Sequence, residues 1–287
     1  MSEQVLKEAR REQRKVMLGA ILGQRVALAG FFIMVLIALL AILAPVLAPQ
    51  GPYDINPLDR LLPPSPKHWF GTDSLGRDLL ARTLYGLRIS LTVGGETALL
   101  STVIGLALGL LSGYFRAVDN VVMRICEGMM AIPPMLLAIA LVAALGSSSE
   151  NVVLSMCVAY MPMVARVARA STLSVKEQTF IEAIKSSGAG WPRVLFGHIA
   201  PNIMSPVIVQ ATYIFASAII IEAAMSFLGA GVPPPDPSLG NVLYDAKSVI
   251  FKAWWTTVLP GLVMVLTVLG LNILGDGVRD AMDPSGK

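Results

Sequence analysis

An uncharged stretch of 23 residues, Val26 to Ala48, constrains this chain more than any other feature of its sequence. At 1.5 Å per residue, an α-helix of this length covers the ~30 Å hydrocarbon core of a bilayer. A cleaved signal peptide would have a shorter apolar core and a small-residue cleavage site, so we interpret the stretch as an uncleaved anchor. Further apolar segments follow at 89–113, 125–146, 151–168, 203–230 and 254–275. The sequence therefore predicts an all-α integral membrane protein with about six transmembrane helices.

The low charge of the chain supports this interpretation. Only 14% of its residues are charged, whereas a soluble domain carries about 25%. In water, such a surface would expose large apolar patches, so membrane lipid is the expected surrounding. The net charge of +3 is too small to indicate a nucleic-acid partner. Cys126 and Cys157 lie in apolar stretches and are expected to be packed thiols, and no metal-ligand spacing surrounds His68 or His198.

The placement of Lys and Arg predicts the orientation, because cytoplasmic segments carry the excess of both. Basic residues are concentrated in the N-terminal arm and around the loop 171–202, which predicts that both termini are cytoplasmic. Gly275-Asp276-Gly277 is expected to end the last helix. The predicted boundaries are a cytoplasmic arm at 1–25, a first transmembrane helix at 26–48, a periplasmic loop at 49–87, a membrane domain at 88–277 that contains the loop 171–202, and a cytoplasmic tail at 278–287.

The loop 171–202 contains a short helix that does not span the membrane. Thr179 and Glu182 have the spacing of a capping box, in which the hydroxyl and the carboxylate each accept a backbone N–H. Gly188 suits the left-handed residue after a helix, and Pro192 suits the first turn of the next helix. A helix of about two turns is unstable alone in water, so we expect it to dock on something. The sequence leaves open whether it docks on its own protein or on a partner.

Four stretches carry a resemblance to a known family. The run EAIKSSGAGWPRVLFGHIAPN at 182–202 resembles the Glu-Ala-Ala…Gly loop of binding-protein-dependent ABC import permeases, with Ile184 in place of the second Ala. The stretches at 70–91, 222–240 and 271–287 resemble the dipeptide and oligopeptide permeases of the "C" type within that family. The four stretches occur in the order of the family and lie within residues 70–287.

The resemblance implies a type I (MetI-like) importer permease fold in the bacterial inner membrane. In that family the short helix inserts into a groove on an ATPase subunit, which assigns Thr179, Glu182, Ala183 and Gly188 to ATPase coupling. The implied partners are a homologous second permease, two ATPase subunits that bind ATP and Mg, and a periplasmic or lipid-anchored solute-binding protein. No cofactor is implied for this chain itself. The cargo stays open among dipeptides, oligopeptides, glutathione, opines and nickel chelates.

Several charged residues are further candidates. Glu96 and Glu222 fall at membrane depth, where a carboxylate is costly and is often functional, and each could line a translocation path or pack between helices. Asp73, Arg77 and Asp78 could form an ion-pair cluster that shapes the outer loop, or a docking surface for a soluble receptor. Arg166 and Arg169 are expected to extend from the inner end of the fourth span toward the membrane surface.

Two other classes of protein are the alternatives. An intramembrane enzyme would need a nucleophile with a base, or His and carboxylate ligands, at membrane depth, and both histidines lie in predicted loops. A secondary transporter should show internal repeats and needs no ATPase-docking helix. The sequence has no Gly-x-x-x-x-Gly-Lys-Ser/Thr loop, so we expect no ATPase site and no catalytic residues in this chain.

Overall fold

The computed structural model describes residues 25–282, with the side chains of residues 28–280. Residues 1–24 of the predicted arm and the end of the predicted tail lie outside this range. Apart from a 3-10 turn at Pro57–Asp59 and an isolated bridge between Thr72 and Asp78, the regular structure within the range is helical. The α-helices are α1 (Arg25–Ile42), α2 (Ala44–Leu47), α3 (Leu79–Tyr114), α4 (Arg116–Met130), α5 (Pro134–Leu145), α6 (Ser149–Lys176), α7 (Thr179–Ser186), α8 (Trp191–Val194), α9 (Ala200–Asn202), α10 (Met204–Phe227), α11 (Leu239–Ala246) and α12 (Trp255–Met282). A π-helical segment, Leu195–Ile199, joins α8 to α9.

The predicted apolar segments all become helices. Within the described residues, α3, α6, α10 and α12 are long and apolar enough to cross a membrane, and α4 with α5 adds a fifth span if the bent pair is counted as one. The first apolar segment forms α1, whose described apolar part is the shorter run Leu28–Ile42. The all-α membrane fold expected from the sequence is thus confirmed.

The third apolar segment differs from the prediction of one straight span over 125–146. Its residues divide between α4 and α5, whose axes meet at 95°. Pro133 and Pro134 lie at the bend. A proline restricts the residue before it to extended conformations and has no N–H to continue the helical ladder, so the helix ends and restarts in a new direction.

Three other boundaries also differ from the expected ones. The predicted helix 26–48 is interrupted at Leu43, two residues before Pro45. The fourth span is longer than 151–168, because Pro162 is accommodated inside α6. The last helix continues through Gly275-Asp276-Gly277 to Met282. A Cβ at position 275 would lie 3.0 Å from Thr212 Oγ1, so this glycine serves the packing of α12 against α10 and does not end the helix.

The core is built on close contact between α3 and α6. Cβ atoms at Gly105, Gly109 and Gly113 would each come within 2.7 Å of α6 atoms. These three glycines are four residues apart, so they form one strip of α3 that lets the two backbones approach. Lipid offers no hydrophobic drive for helices to associate, so this close van der Waals contact holds the pair together.

Two ends of the helix bundle are distinguished by the segments that lie there. The loop 49–78 precedes the first turn of α3 and lies at what we call the loop end. Helix α6 runs parallel to α3, since Gly105 faces Val164 and Gly113 faces Thr172. The short helix α7 follows the last turn of α6 and therefore lies at the opposite end, which we call the α7 end.

Candidate functional site

Helix α7 is fixed on one side and free on the other. Ile181 is 0% exposed and belongs to the same core cluster as Val194 and Leu195. Glu182 and Ala183 are exposed on the opposite side. The predicted short helix is therefore confirmed at Thr179–Ser186, and Glu182 and Ala183 face away from the bundle.

The predicted capping box is wrong. The helix begins one residue earlier than the box requires, so that Gln178 is the N-cap and Thr179 is the first helical residue. No side chain caps this end, because Thr179 now lies inside the first turn and Glu182 no longer stands three residues after the cap. Glu182 remains in the first turn, where its negative charge is favourable for the helix dipole.

The end of α7 at Gly188 is confirmed in atomic detail. Gly188 has φ +84°, and its N–H donates to the carbonyl of Lys185 at 3.0 Å. The N–H of Ala189 donates to the carbonyl of Ile184 at 3.3 Å. These two bonds form a Schellman motif, which satisfies the last carbonyls of the helix. Pro192 then lies in the first turn of α8, as predicted.

The end of α3 supports α7 and its neighbours. Lys176 Nζ donates to the carbonyl of Tyr114 at 2.8 Å and lies 5.3 Å from the centre of the Tyr114 ring. Lys185 Nζ lies 5.6 Å from the same ring, and Trp191 meets Phe115 edge to face at 5.4 Å. The end of α3, the longest helix described, is therefore in contact with α7 through Lys185, with α6 through Lys176 and with α8 through Trp191.

An ion pair joins α4 to α6 near the same end. Arg169 Nη2 donates to Asp119 Oδ2 at 2.6 Å, so its guanidinium is paired within the bundle. Arg166 is exposed and, with Arg169 and Glu127, lines a cavity of about 280 Å³ between α4 and α6. The sequence offered no signal for Asp119, because its partner is 50 residues away.

Glu222 lies in a buried network of hydroxyl groups between α3, α10 and α11. Its side chain is 0% exposed and accepts hydrogen bonds from Ser90 Oγ at 2.8 Å and Ser226 Oγ at 2.7 Å. Ser90 Oγ accepts the N–H of Leu239, and Ser238 Oγ bonds to Ser226 Oγ at 3.2 Å. In this chain the carboxylate therefore joins helices rather than lining an open path. Of its partners, Ser226 had a sequence signal, because it lies four residues after Glu222.

Asp73, Arg77 and Asp78 come together at the loop end. Arg77 Nε donates to Asp73 Oδ2 at 2.6 Å, and Arg77 Nη2 donates to Asp245 at 2.8 Å. Asp78 accepts the N–H of Ala81 at 2.8 Å and so caps α3. All three predicted residues are buried. Their side chains therefore hold the loop in shape and do not form an exposed docking surface.

Three further residues complete this cluster, and none of them was predicted from the sequence to belong to it. Arg82 Nη2 donates to Asp245 at 3.2 Å, which links α3 to α11. His68, expected to be an isolated loop residue, is buried with Nδ1 2.8 Å from Asp78 Oδ2. Asp245 and Arg82 are 163 residues apart in the chain, so local pattern could not pair them.

A hydrogen bond from Tyr53 fastens the loop 49–78 to the segment after α10. Tyr53 Oη donates to Asp236 Oδ1 at 2.7 Å. This bond to a carboxylate, assisted by burial, raises the pKa of Tyr53 to about 12. The phenol therefore keeps its proton for this hydrogen bond well above neutral pH.

Glu96 is exposed on α3, in contrast to Glu222. The sequence left it open whether Glu96 packs between helices or lines a path. Within the described residues its carboxylate has no hydrogen bond or ion pair, so it does not pack inside this chain. Among the described residues there is also no group of three His, Cys, Asp or Glu that could hold a metal ion.

Comparison with known proteins places these features in a family. Residues 102–286 match the family described as binding-protein-dependent transport system inner membrane component. Residues 17–64 match the N-terminal transmembrane domain of oligopeptide transport permease C. The chain is 42% identical to the dipeptide transport system permease protein DppC of Alkalihalophilus pseudofirmus, over 92% of this chain and 87% of that one.

Other relatives differ in the cargo that their names state. The di/tripeptide transport system permease protein DppC of Pseudomonas aeruginosa is 41% identical over 91% of this chain and 88% of its own. The glutathione transport system permease protein GsiD of Pectobacterium atrosepticum is 44% identical over 93% and 89%. A solved structure of the methionine ABC transporter MetNI in an inward-facing conformation matches with a TM-score of 0.59 at 20% identity, over 71% of this chain and 96% of that one.

Proposed function

The chain belongs to the family of binding-protein-dependent transport system inner membrane components, the permease subunits of ABC importers, and we propose that its cargo is a dipeptide or another short peptide. The observation that carries the proposal is the identity of 41–42% with dipeptide and di/tripeptide permeases over nine tenths of the chain. The similarity to a glutathione permease is compatible with it, because glutathione is itself a small peptide.

We further propose that separate ATPase subunits drive the transport through α7. The exposed side of α7 offers Glu182 and Ala183 to a partner, while Ile181 anchors the opposite side in the core. The Schellman end at Gly188 sets the direction in which the chain leaves the helix. A small, rigidly mounted helix of this kind can transmit a push from an ATPase groove to α3 and α6.

Alternating access would then follow from rocking of these helices as the ATPases close and open. A second permease is expected to complete the path, and a solute-binding protein is expected to deliver cargo at the loop end. The permease needs only weak affinity for its cargo, because tight binding in one state would oppose release from it.

Reconstitution tests the proposed function. Proteoliposomes that contain this chain, its partner permease, two ATPases and the binding protein should accumulate labelled dipeptide only when ATP is supplied. Vesicles that lack this chain are the control. Accumulation by this chain alone, driven by an ion gradient, would show a secondary transporter instead and would refute the proposal.

A further inference from the structure

A polar strip on α3 is exposed in this chain. Arg88, Thr92 and Glu96 are four residues apart, so they share one face of the helix, and all three are exposed. Thr92 Oγ1 donates to the carbonyl of Arg88 at 2.9 Å. The guanidinium of Arg88 and the carboxylate of Glu96 have no partner within the described residues. The opposite side of α3 packs on α6 and α10, through Gly105 and Gly94.

This strip lies deep in the membrane. The middle of α10 falls at Phe215 and Ala216, halfway along its 24 residues. A Cβ at Gly94 would lie 3.2 Å from the Phe215 ring and one at Gly95 3.8 Å from it, so Glu96 is level with that middle. Arg88 is eight residues nearer the loop end, about 12 Å along the helix axis. Both charges therefore lie within the ~30 Å hydrocarbon thickness.

Lipid is an unsuitable neighbour for this face. A carboxylate at the bilayer centre costs about 3 kcal/mol or more when it faces hydrocarbon. The same face of α3 becomes apolar toward the α7 end, where Leu99 and Val103 are 63% and 58% exposed. The polar part is thus confined to two turns, which is the extent of a small ligand.

We propose that Arg88 and Glu96 line the translocation path and hold the two charged ends of a short peptide, with Glu96 facing its ammonium group and Arg88 its carboxylate. This inference rests on the proposed peptide cargo. A zwitterionic peptide carries one charge of each sign, and so does the strip, so the two are complementary in charge. An extended chain spans about 3.5 Å per residue, so the separation of about 12 Å between the two positions suits two or three residues once the side chains lean inward.

Recognition of this kind explains how one path could serve many peptides. All unmodified peptides share the two charged ends, whereas their side chains differ. A site that contacts only the ends, with Thr92 as a neutral polar wall between them, does not select among sequences. The remaining selectivity would be for length and for free termini.

Uptake by the complete reconstituted transporter is the first test, with dialanine as the probe. Glu96→Gln and Arg88→Gln should each lower dialanine uptake about tenfold or more, since an unpaired charged contact typically costs that much. Glu96→Asp should recover part of the uptake. Leu99→Ala, a change on the same face without a charge, is the matched control and should keep wild-type uptake. Amounts of assembled complex are measured for every variant.

Thiol labelling identifies what faces the strip. In a transporter that lacks Cys126 and Cys157, a Thr92→Cys variant should react with a water-soluble thiol reagent, and dialanine should slow that reaction. A thiol that only an apolar reagent reaches would place the strip against lipid, and a thiol that no reagent reaches would place it against the second permease. Either result would overturn the inference.

The two proposals fail in distinguishable ways. If the wild-type transporter imports dialanine with ATP but Glu96→Gln and Arg88→Gln import it equally well, the termini-binding strip is refuted and the peptide permease stands. If the wild-type transporter imports no dialanine with ATP, the peptide cargo is refuted and the strip's assignment is refuted with it.

Discussion

At the scale of single residues, Gly188 is the position where local geometry bears most directly on the proposed coupling. Its φ of +84° favours glycine, although a Cβ there would meet no neighbouring atom. Gly188→Thr should therefore cost about 1–2 kcal/mol through backbone strain alone and should reorient the end of α7. We expect normal membrane abundance but reduced ATPase co-purification and peptide uptake.

The matched control for this prediction is Gly190→Thr, two residues away. Gly190 has φ −67° and is the N-cap of α8, a position that threonine fills well. It should keep wild-type ATPase binding and uptake. If Gly188→Thr also keeps both, residues 179–188 do not couple the permease to an ATPase.

Glu222 is the residue whose surroundings predict a stability effect. Glu222→Leu would remove the acceptor of both Ser90 and Ser226, and buried hydroxyl groups left without partners cost about 1–3 kcal/mol. Glu222→Gln keeps one acceptor and should cost less. Thermal unfolding of the purified transporter should rank wild type above Gln and Gln above Leu. Equal midpoints for all three would show that the network contributes nothing to stability.

At the scale of secondary-structure elements, the contact between α3 and α6 holds the core together. Gly109→Leu should prevent it, because even a Cβ there would lie 2.5 Å from Ala168 Cβ and from the Ala165 carbonyl oxygen. Overpacking typically costs 1–3 kcal/mol, and we expect about 3 kcal/mol because two backbones must separate. The measurement is the amount of folded protein in the membrane and its unfolding temperature.

Gly261→Leu in α12 provides the control for this change. Gly261 is also a helical glycine, but nothing lies within 4 Å of the Cβ that it lacks. The same substitution there should leave abundance and unfolding temperature near those of wild type. A comparable loss in both variants would mean that glycine itself, not the close contact, is required.

At the scale of the whole molecule, the orientation in the membrane stays a prediction. A cysteine at Leu58, which is 91% exposed at the loop end, should react with a membrane-impermeant thiol reagent in intact spheroplasts, in a background without Cys126 and Cys157. A cysteine at Ser186, exposed at the α7 end, should react only after lysis. The reverse pattern would place α7 outside the cell and exclude its contact with cytoplasmic ATPases.

The sequence by itself determined the features that depend on neighbours along the chain. The lengths of the apolar segments predicted membrane helices because hydrocarbon thickness sets a minimum length. Gly188 predicted the end of one helix because glycine readily adopts a positive φ. Pro192 predicted the start of the next helix because its ring fixes φ at a helical value. Some boundaries predicted from the sequence were wrong. The capping box at Thr179 placed the start of α7 one residue too late, and the apolar run 125–146 was taken as one span although the prolines after α4 divide it into two helices.

Only the tertiary structure decided which charges meet and which remain open. Glu222 and Glu96 both lie at membrane depth in apolar stretches of the sequence, yet Glu222 is enclosed by hydroxyl groups from other elements, whereas Glu96 has no hydrogen-bond or ion-pair partner among the described residues. Arg82 with Asp245, and Arg169 with Asp119, pair across 163 and 50 residues. Such pairs form because helix packing brings distant segments together, and no pattern along the chain encodes which faces will touch.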